Sequence, residues 1–174
     1  LNASRSGQFD SVGNNCEPDN SNRSVNVELY NTSNERVVQA VVGTEFNGIL
    51  YTGTASVNVP NGSYTAYVKV NNSLKKRLPG IITLGPGANP APSAQLVTGD
   101  IDQNNILDLF DWNAVTDCYN NTGCGVDFPL SDLNDDSFVD EIDINILSRG
   151  FAIREGEGEI ENNASPSATP TPTN

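Results

Sequence analysis

The chain has 174 residues, 22 acidic against nine basic side chains, no histidine, and a formal net charge of −13 at pH 7. Such a charge disfavours nucleic-acid binding, and the lack of histidine removes Ser-His and Cys-His nucleophile pairs and the usual zinc sites. No apolar run is long enough for a membrane span. Ten of the 22 acidic residues fall in two short loops and no aromatic-lined groove is evident, so paired-carboxylate hydrolysis has little support and the chain reads as non-catalytic.

Residues 1–24, rich in Ser, Asn and Gly, read as a linker or N-terminal arm. Residues 25–98 read as all-β. VNVELY, ERVVQAVV, TASVNVP, SYTAYVKV and GIITL are short runs rich in Val, Ile, Thr and Tyr, separated by Asn, Gly and Pro turns. Five to seven strands in this length predict a small sandwich. Alternation turns Val25, Val27 and Leu29 inward, puts Tyr64, Ala66, Val68 and Val70 on one apolar face, and leaves Thr65, Tyr67 and Lys69 on the other. Tyr30, Tyr51 and Tyr67 are candidates for carbohydrate contact, although core or edge packing is the commoner role of such residues. Lys75, Lys76 and Arg77 read as a solvated turn, with the acidic part of another copy as the alternative partner.

Residues 99–152 carry the chemistry. DIDQNNILDLFD (Asp100 to Asp111) and DLNDDSFVDEID (Asp132 to Asp143) repeat at an offset of 32 residues. Loop positions 1, 3, 5, 9 and 12 are Asp100, Asp102, Asn104, Asp108 and Asp111 in the first copy, and Asp132, Asn134, Asp136, Asp140 and Asp143 in the second. A hard cation takes about six to eight oxygens at roughly 2.3 to 2.6 Å, and this spacing supplies them, with a position-7 carbonyl from Ile106 or Phe138. Two calcium ions are therefore expected. Position 6, where Gly makes the sharp turn of an EF-hand, is Asn105 or Ser137, and position 12 is Asp instead of Glu. Both changes point to modest affinity, about 10⁻⁴ to 10⁻³ M, as in extracellular modules.

NPAPSAQLVTG, before the first loop, has two prolines and no helical apolar period, so the entering helix of an EF-hand is missing. After each loop, Phe110, Ala114 and Cys118, and Ile142, Ile146 and Gly150, follow an i, i+4, i+8 stripe, which Trp112, Val115, Ile144 and Leu147 broaden. Loop followed by exit helix, twice, resembles the dockerin family, with GDIDQNNILDLFD and SDLNDDSFVDEID as the motif. The resemblance covers Gly99 to about Phe151 and implies two calcium-dependent antiparallel helices that dock onto a cohesin-like scaffold protein. In many dockerins positions 10 and 11 are small hydroxyl residues that help recognise cohesin. Here they are Leu109, Phe110, Glu141 and Ile142, and the large apolar ones are expected to pack within the chain or against the neighbouring module. The stretch NGSYTAYVKVNNSLKKRLPGIITL resembles the transthyretin-like or Ig-like β modules found beside dockerins in some bacterial surface proteins.

Cys118 and Cys124 are close enough in sequence to bridge, leaving Cys16 odd. Asn-x-Ser/Thr sequons stand at Asn2, Asn22, Asn31, Asn61, Asn71, Asn120 and Asn163, so glycans are possible partners. Residues 153–174 read as an acidic, then Pro/Thr-rich tail, and the start at Leu1 reads as a mature or partial secreted product. Charge is uneven: residues 25–98 carry +2, whereas the chain from Gly99 onward carries −14. The expected protein is a mixed β-plus-helical, extracellular or cell-surface, calcium-binding assembly module. The alternative is a filament subunit that joins head to tail with other copies of itself.

Overall fold

The computed structural model describes residues 2–5, 17–121 and 123–154. Eight strands precede three helices: β1 (Asn2–Arg5), β2 (Asn22–Tyr30), β3 (Arg36–Phe46), β4 (Tyr51–Thr52), β5 (Gly62–Lys69), β6 (Lys76–Arg77), β7 (Ile82–Leu84), β8 (Ser93–Leu96), α1 (Leu109–Cys118), α2 (Phe128–Ser131) and α3 (Glu141–Arg154). The fold is thus mixed and β-rich.

The strands form one curled sheet in the order β6-β5-β2-β3-β4-β1-β8. β7 shares the outer edge of β5 with β6, pairing at Gly62 to Tyr64 while β6 pairs at Tyr67 and Val68. All pairs are antiparallel except β1 with β8. The two ends of the strand order approach each other where Ser73 bridges Thr98 and Leu74 N–H donates to the Val97 carbonyl at 2.8 Å. The β2–β3 hairpin is set by Asn31, whose Oδ1 accepts from Ser33 N and Glu35 N, both at 2.9 Å, with Asn34 in the left-handed region at φ 60°.

Strand alternation decides the core. Val25, Val27 and Leu29 of β2 and Tyr64, Ala66 and Val68 of β5 are buried with Val42, Val70, Leu78, Ile82, Ala94 and Leu96. The segment 54–60 keeps the alternation of a strand, and Ala55, Val57 and Val59 pack on this core, but it joins no ladder among the described residues. Its side chains wall a groove of about 600 Å³ together with Val27, Leu29, Ile82 and Leu84. β8 was hidden in the sequence by Pro90 and Pro92, which lie just before it.

The opposite face of β2 and β5 buries its tyrosines and Glu28, while Ser24 and Asn26 stay exposed. Tyr30 and Tyr67 are buried edge to face with ring centroids 5.4 Å apart, and Tyr51 is buried under Arg23, whose guanidinium lies 5.5 Å from its ring centroid. Glu28, also buried, accepts from Tyr30 Oη (3.2 Å), Arg36 (3.1 Å) and Lys75 (2.9 Å). Lys75 is therefore an internal ion-pair partner, not part of a free basic turn.

A second core lies under the helices: Ile101, Leu107, Val115, Cys118, Leu133, Val139, Ile146 and Leu147, joined by Leu74 and Val97 from the sheet. Val115 and Cys118 of the expected stripe are buried in α1 together with Asp111, while Phe110 faces out. Two glycines permit the packing. A Cβ on Gly99, which stands at φ 125°, would lie 2.5 Å from Leu147 Cδ1, and one on Gly150 of α3 would lie 2.8 Å from Leu107 Cδ1. Cys118 and Cys124 are joined as a disulfide with Cα atoms 5.2 Å apart, while Cys16 lies outside the described residues.

Candidate metal centre

The two loops close in the same way. Position 1 accepts the N–H of position 6: Asp100 takes Asn105 N at 3.2 and 3.1 Å, and Asp132 takes Ser137 N at 2.9 Å, together with Asp135 N at 2.6 Å and Asp136 N at 3.1 Å. Position 12 gathers the loop from behind. Asp111 accepts from Ile101 N (2.6 Å), Asp102 N (3.3 Å) and Asp108 N (2.9 Å); Asp143 accepts from Leu133 N (2.6 Å), Asn134 N (3.1 Å) and Asp140 N (2.8 Å). Closing so tightly requires two left-handed residues per loop, Gln103 and Asn105 in the first (φ 63° and 70°), Asp135 and Ser137 in the second (φ 65° and 69°). The left-handed turn at position 6 was legible; the one at position 4 was not.

Positions 3 and 5 pair an amide with a carboxylate in both copies. Asn104 Nδ2 donates to Asp102 Oδ2 at 2.9 Å, and Asn134 Nδ2 to Asp136 Oδ2 at 2.8 Å. Position 5 then accepts the N–H of position 7: Ile106 N to Asn104 Oδ1 at 2.7 Å, Phe138 N to Asp136 Oδ1 at 3.0 Å. Position 9 starts the helix. Asp108 Oδ1 caps Phe110 N at 2.7 Å, Asp140 Oδ1 caps Ile142 N at 2.8 Å, and Asp111 completes a capping box in α1. The short Asp at position 12 therefore serves loop closure and helix capping at once.

In the first loop, carboxylate oxygens of Asp100, Asp102 and Asp111 lie within 4.8 Å of one another. Asp100, Asp111, Asp132 and Asp143 are buried, and burial pushes all four carboxyls above their ordinary value, Asp143 to about 6. Backbone N–H donors oppose that rise in each case, and Lys69 opposes it at Asp100. A carboxylate oxygen that accepts one N–H still has a lone pair for a cation. An all-oxygen donor set of this kind fits a hard divalent ion and not a zinc or copper site.

Sequence reading missed what holds the loops down. Positions 2 and 8, Ile101 and Leu107, then Leu133 and Val139, are buried apolar residues in both copies, a repeat visible in the same alignment. Non-ligand positions attach the loops to the β module. Asn105 Oδ1 accepts Lys75 N at 2.7 Å, and Asp135 accepts Arg23 at 2.5 Å and Asn20 N and Nδ2 at 3.0 and 2.6 Å. Ser137 Oγ donates to the Asp19 carboxylate. The Asn and Ser that replace Gly at position 6 thus supply polar contacts that Gly could not.

Two expectations are corrected. Leu109 and Phe110 do not pack within the chain: they are 75% and 72% exposed, because the helix turns its Asp111 and Val115 side inward. The second loop also has a short entering helix, the one-turn α2 after a 3₁₀ turn at Gly125–Asp127, whereas the first follows directly from β8. Of the sequon asparagines, Asn22, Asn61, Asn71 and Asn120 are exposed and Asn31 is half-buried in its turn. Asn2 lies in β1, and Asn163 lies outside the described residues.

No protein-family model and no curated protein matches the chain. Among solved structures the chain is similar to a C-terminal interface mutant of a type II cohesin–X-dockerin complex from Acetivibrio cellulolyticus, with 17% identity over 86% of this chain and 92% of that one, TM-score 0.51. It is likewise similar to an N-terminal interface mutant of that complex, with 17% identity over 86% and 91% and TM-score 0.52. The likeness is one of fold. The sheet lies within residues 2–96, little over half of the chain, so a match over 86% reaches beyond it. Among the described residues no helix is long and apolar enough to cross a membrane.

Proposed function

We propose that the chain is a secreted, non-catalytic, calcium-dependent docking protein of the dockerin type. Residues 99–152 hold two calcium ions, one through Asp100, Asp102, Asn104, the Ile106 carbonyl, Asp108 and Asp111, the other through Asp132, Asn134, Asp136, the Phe138 carbonyl, Asp140 and Asp143. The eight-stranded sheet, which takes in Asn2–Arg5 and Asn22–Tyr30 as well as residues within 25–98, is the β module that carries this unit. The observation that carries the reading is the repeated closure, in which position 1 and position 12 carboxylates collect the same backbone N–H groups in both loops.

Calcium would supply the positive charge that the buried carboxylates of Asp111, Asp132 and Asp143 otherwise lack, and would meet that of Lys69 at Asp100. Loop positions 7, 10 and 11 of the first copy, Ile106, Leu109 and Phe110, then form an exposed apolar surface for a protein partner. A cohesin-like scaffold fits that role, since the solved complexes of similar fold pair a type II cohesin with an X-dockerin. Exposure of Asn22, Asn61, Asn71 and Asn120 is compatible with glycans on an extracellular protein. The test is binding of the chain to an immobilised type II cohesin. Binding with calcium that is lost in chelator is expected; no binding with calcium loaded, or binding indifferent to chelator, would contradict the reading.

A further inference from the structure

The two loops offer equal ligand charge, four aspartates and one asparagine each at positions 1, 3, 5, 9 and 12. Their surroundings are not equal. In the first loop Lys69, at the end of β5, places Nζ 2.5 Å from Asp100 Oδ2, the position-1 ligand, and donates also to the Gln103 carbonyl at 3.4 Å. Asp100 is wholly buried and the lysine side chain is 17% exposed, so water screens this contact weakly. In the second loop the corresponding cation, Arg23, lies on Asp135 at position 4, which is not a ligand position. There Asp132 is held by backbone N–H groups of Asp135, Asp136 and Ser137 instead.

We infer that Lys69 is a built-in counter-ion that competes with calcium in the first loop, so that the two sites fill in order, the second loop first. This rests on the calcium reading above. A calcium ion bound to Asp100 would share that carboxylate with the ammonium, and even at a water-like dielectric of ~80 the repulsion between the two cations weakens binding by roughly tenfold or more. Without calcium, the same ammonium keeps the first loop closed on β5. Filling of that loop is thereby communicated to the β module, because the strand that carries Lys69 also carries Tyr64, Ala66 and Val68 of its core.

The test is calorimetric calcium titration of the full chain and of Lys69→Met and Lys69→Arg, with thermal unfolding in chelator as a metal-independent readout. Two unequal affinities are expected in the unmodified chain, with Asp102→Ala deleting the weaker and Asp136→Ala the tighter. Lys69→Met should tighten the weaker site by about tenfold or more, leave the other within about twofold, and lower the unfolding midpoint in chelator. Lys69→Arg, which keeps the charge, should keep the weak site weak. Equal affinities in the unmodified chain, or a weaker site that Lys69→Met leaves unchanged, would overturn the inference while two calcium ions still bind. Absence of calcium binding in the unmodified chain would sink the underlying reading, and the inference with it.

Discussion

Arg23 and Asp135 join the β module to the second loop, and Arg23→Met is the substitution that isolates that joint. The ion pair is 2.5 Å long, with side chains 15% and 6% exposed, and the guanidinium also donates to Tyr51 Oη at 3.2 Å. Removing one partner of a buried pair costs about 3 to 5 kcal/mol, because the other charge stays behind in a dry site. Two hydrogen bonds from Asn20 still reach the Asp135 carboxylate, which offsets part of that loss. Loss of the cation–π contact with Tyr51 adds about 0.5 to 1 kcal/mol. The expected destabilisation is about 2 to 3 kcal/mol. Urea unfolding followed by Trp112 fluorescence is the assay, since this one tryptophan packs against Phe151 in the second core, far in sequence from Arg23. A cycle with Asp135→Asn should show coupling of at least about 1 kcal/mol. A shift at Trp112 below about 0.5 kcal/mol, with no coupling, would refute the claim that the Arg23–Asp135 pair attaches the second loop to the sheet.

Two further outcomes follow from the loops. Leu109→Ser with Phe110→Ser should abolish cohesin binding and leave calcium affinity within about twofold, since both side chains are exposed and neither is a ligand; retained partner binding, read by surface immobilisation, would place the docking surface elsewhere. Burial raises Asp143 from 3.8 to about 6, so the folded, calcium-free chain binds this proton more readily than the unfolded chain does. Its contribution to calcium-free stability therefore increases as pH falls from about 7 towards 4, while calcium affinity falls through pH 6 as the ligand is protonated. Thermal midpoints in chelator and calorimetric affinities at pH 7, 6 and 5 check both directions, and Asp143→Asn should flatten the stability trend.

The parts legible in the sequence are the local ones. Val25, Val27 and Leu29, and Tyr64, Ala66 and Val68, announce their inward faces because a strand has a period of two. The turn at position 6 of each loop is equally local, since the chain must reverse within a few residues to bring Asn105 N to Asp100 and Ser137 N to Asp132. What was not legible depends on distant partners. Asp135 looks like one more acidic turn residue until Arg23, 112 positions away, is placed on it, and Lys69 reads as a solvated strand residue until Asp100, 31 positions away, arrives beneath it. Segment 54–60 shows the limit of periodicity: it alternates as a strand does, yet its side chains alone pack on the core and its backbone joins no ladder among the described residues. Phe110 was misplaced because two apolar stripes one residue apart fit α1, and only the capping role of Asp111, which fixes the rotation of the first turn, chooses between them.

Calcium binding by the duplicated loops is the claim on which docking and ordered filling both depend. Calorimetric titration of the chain and of the double variant Asp100→Ala with Asp132→Ala tests it directly. About two calcium ions per chain, the number of duplicated loops, are expected, and none in the double variant. A chain that takes up no calcium, or a double variant that binds as the unmodified chain does, would contradict it.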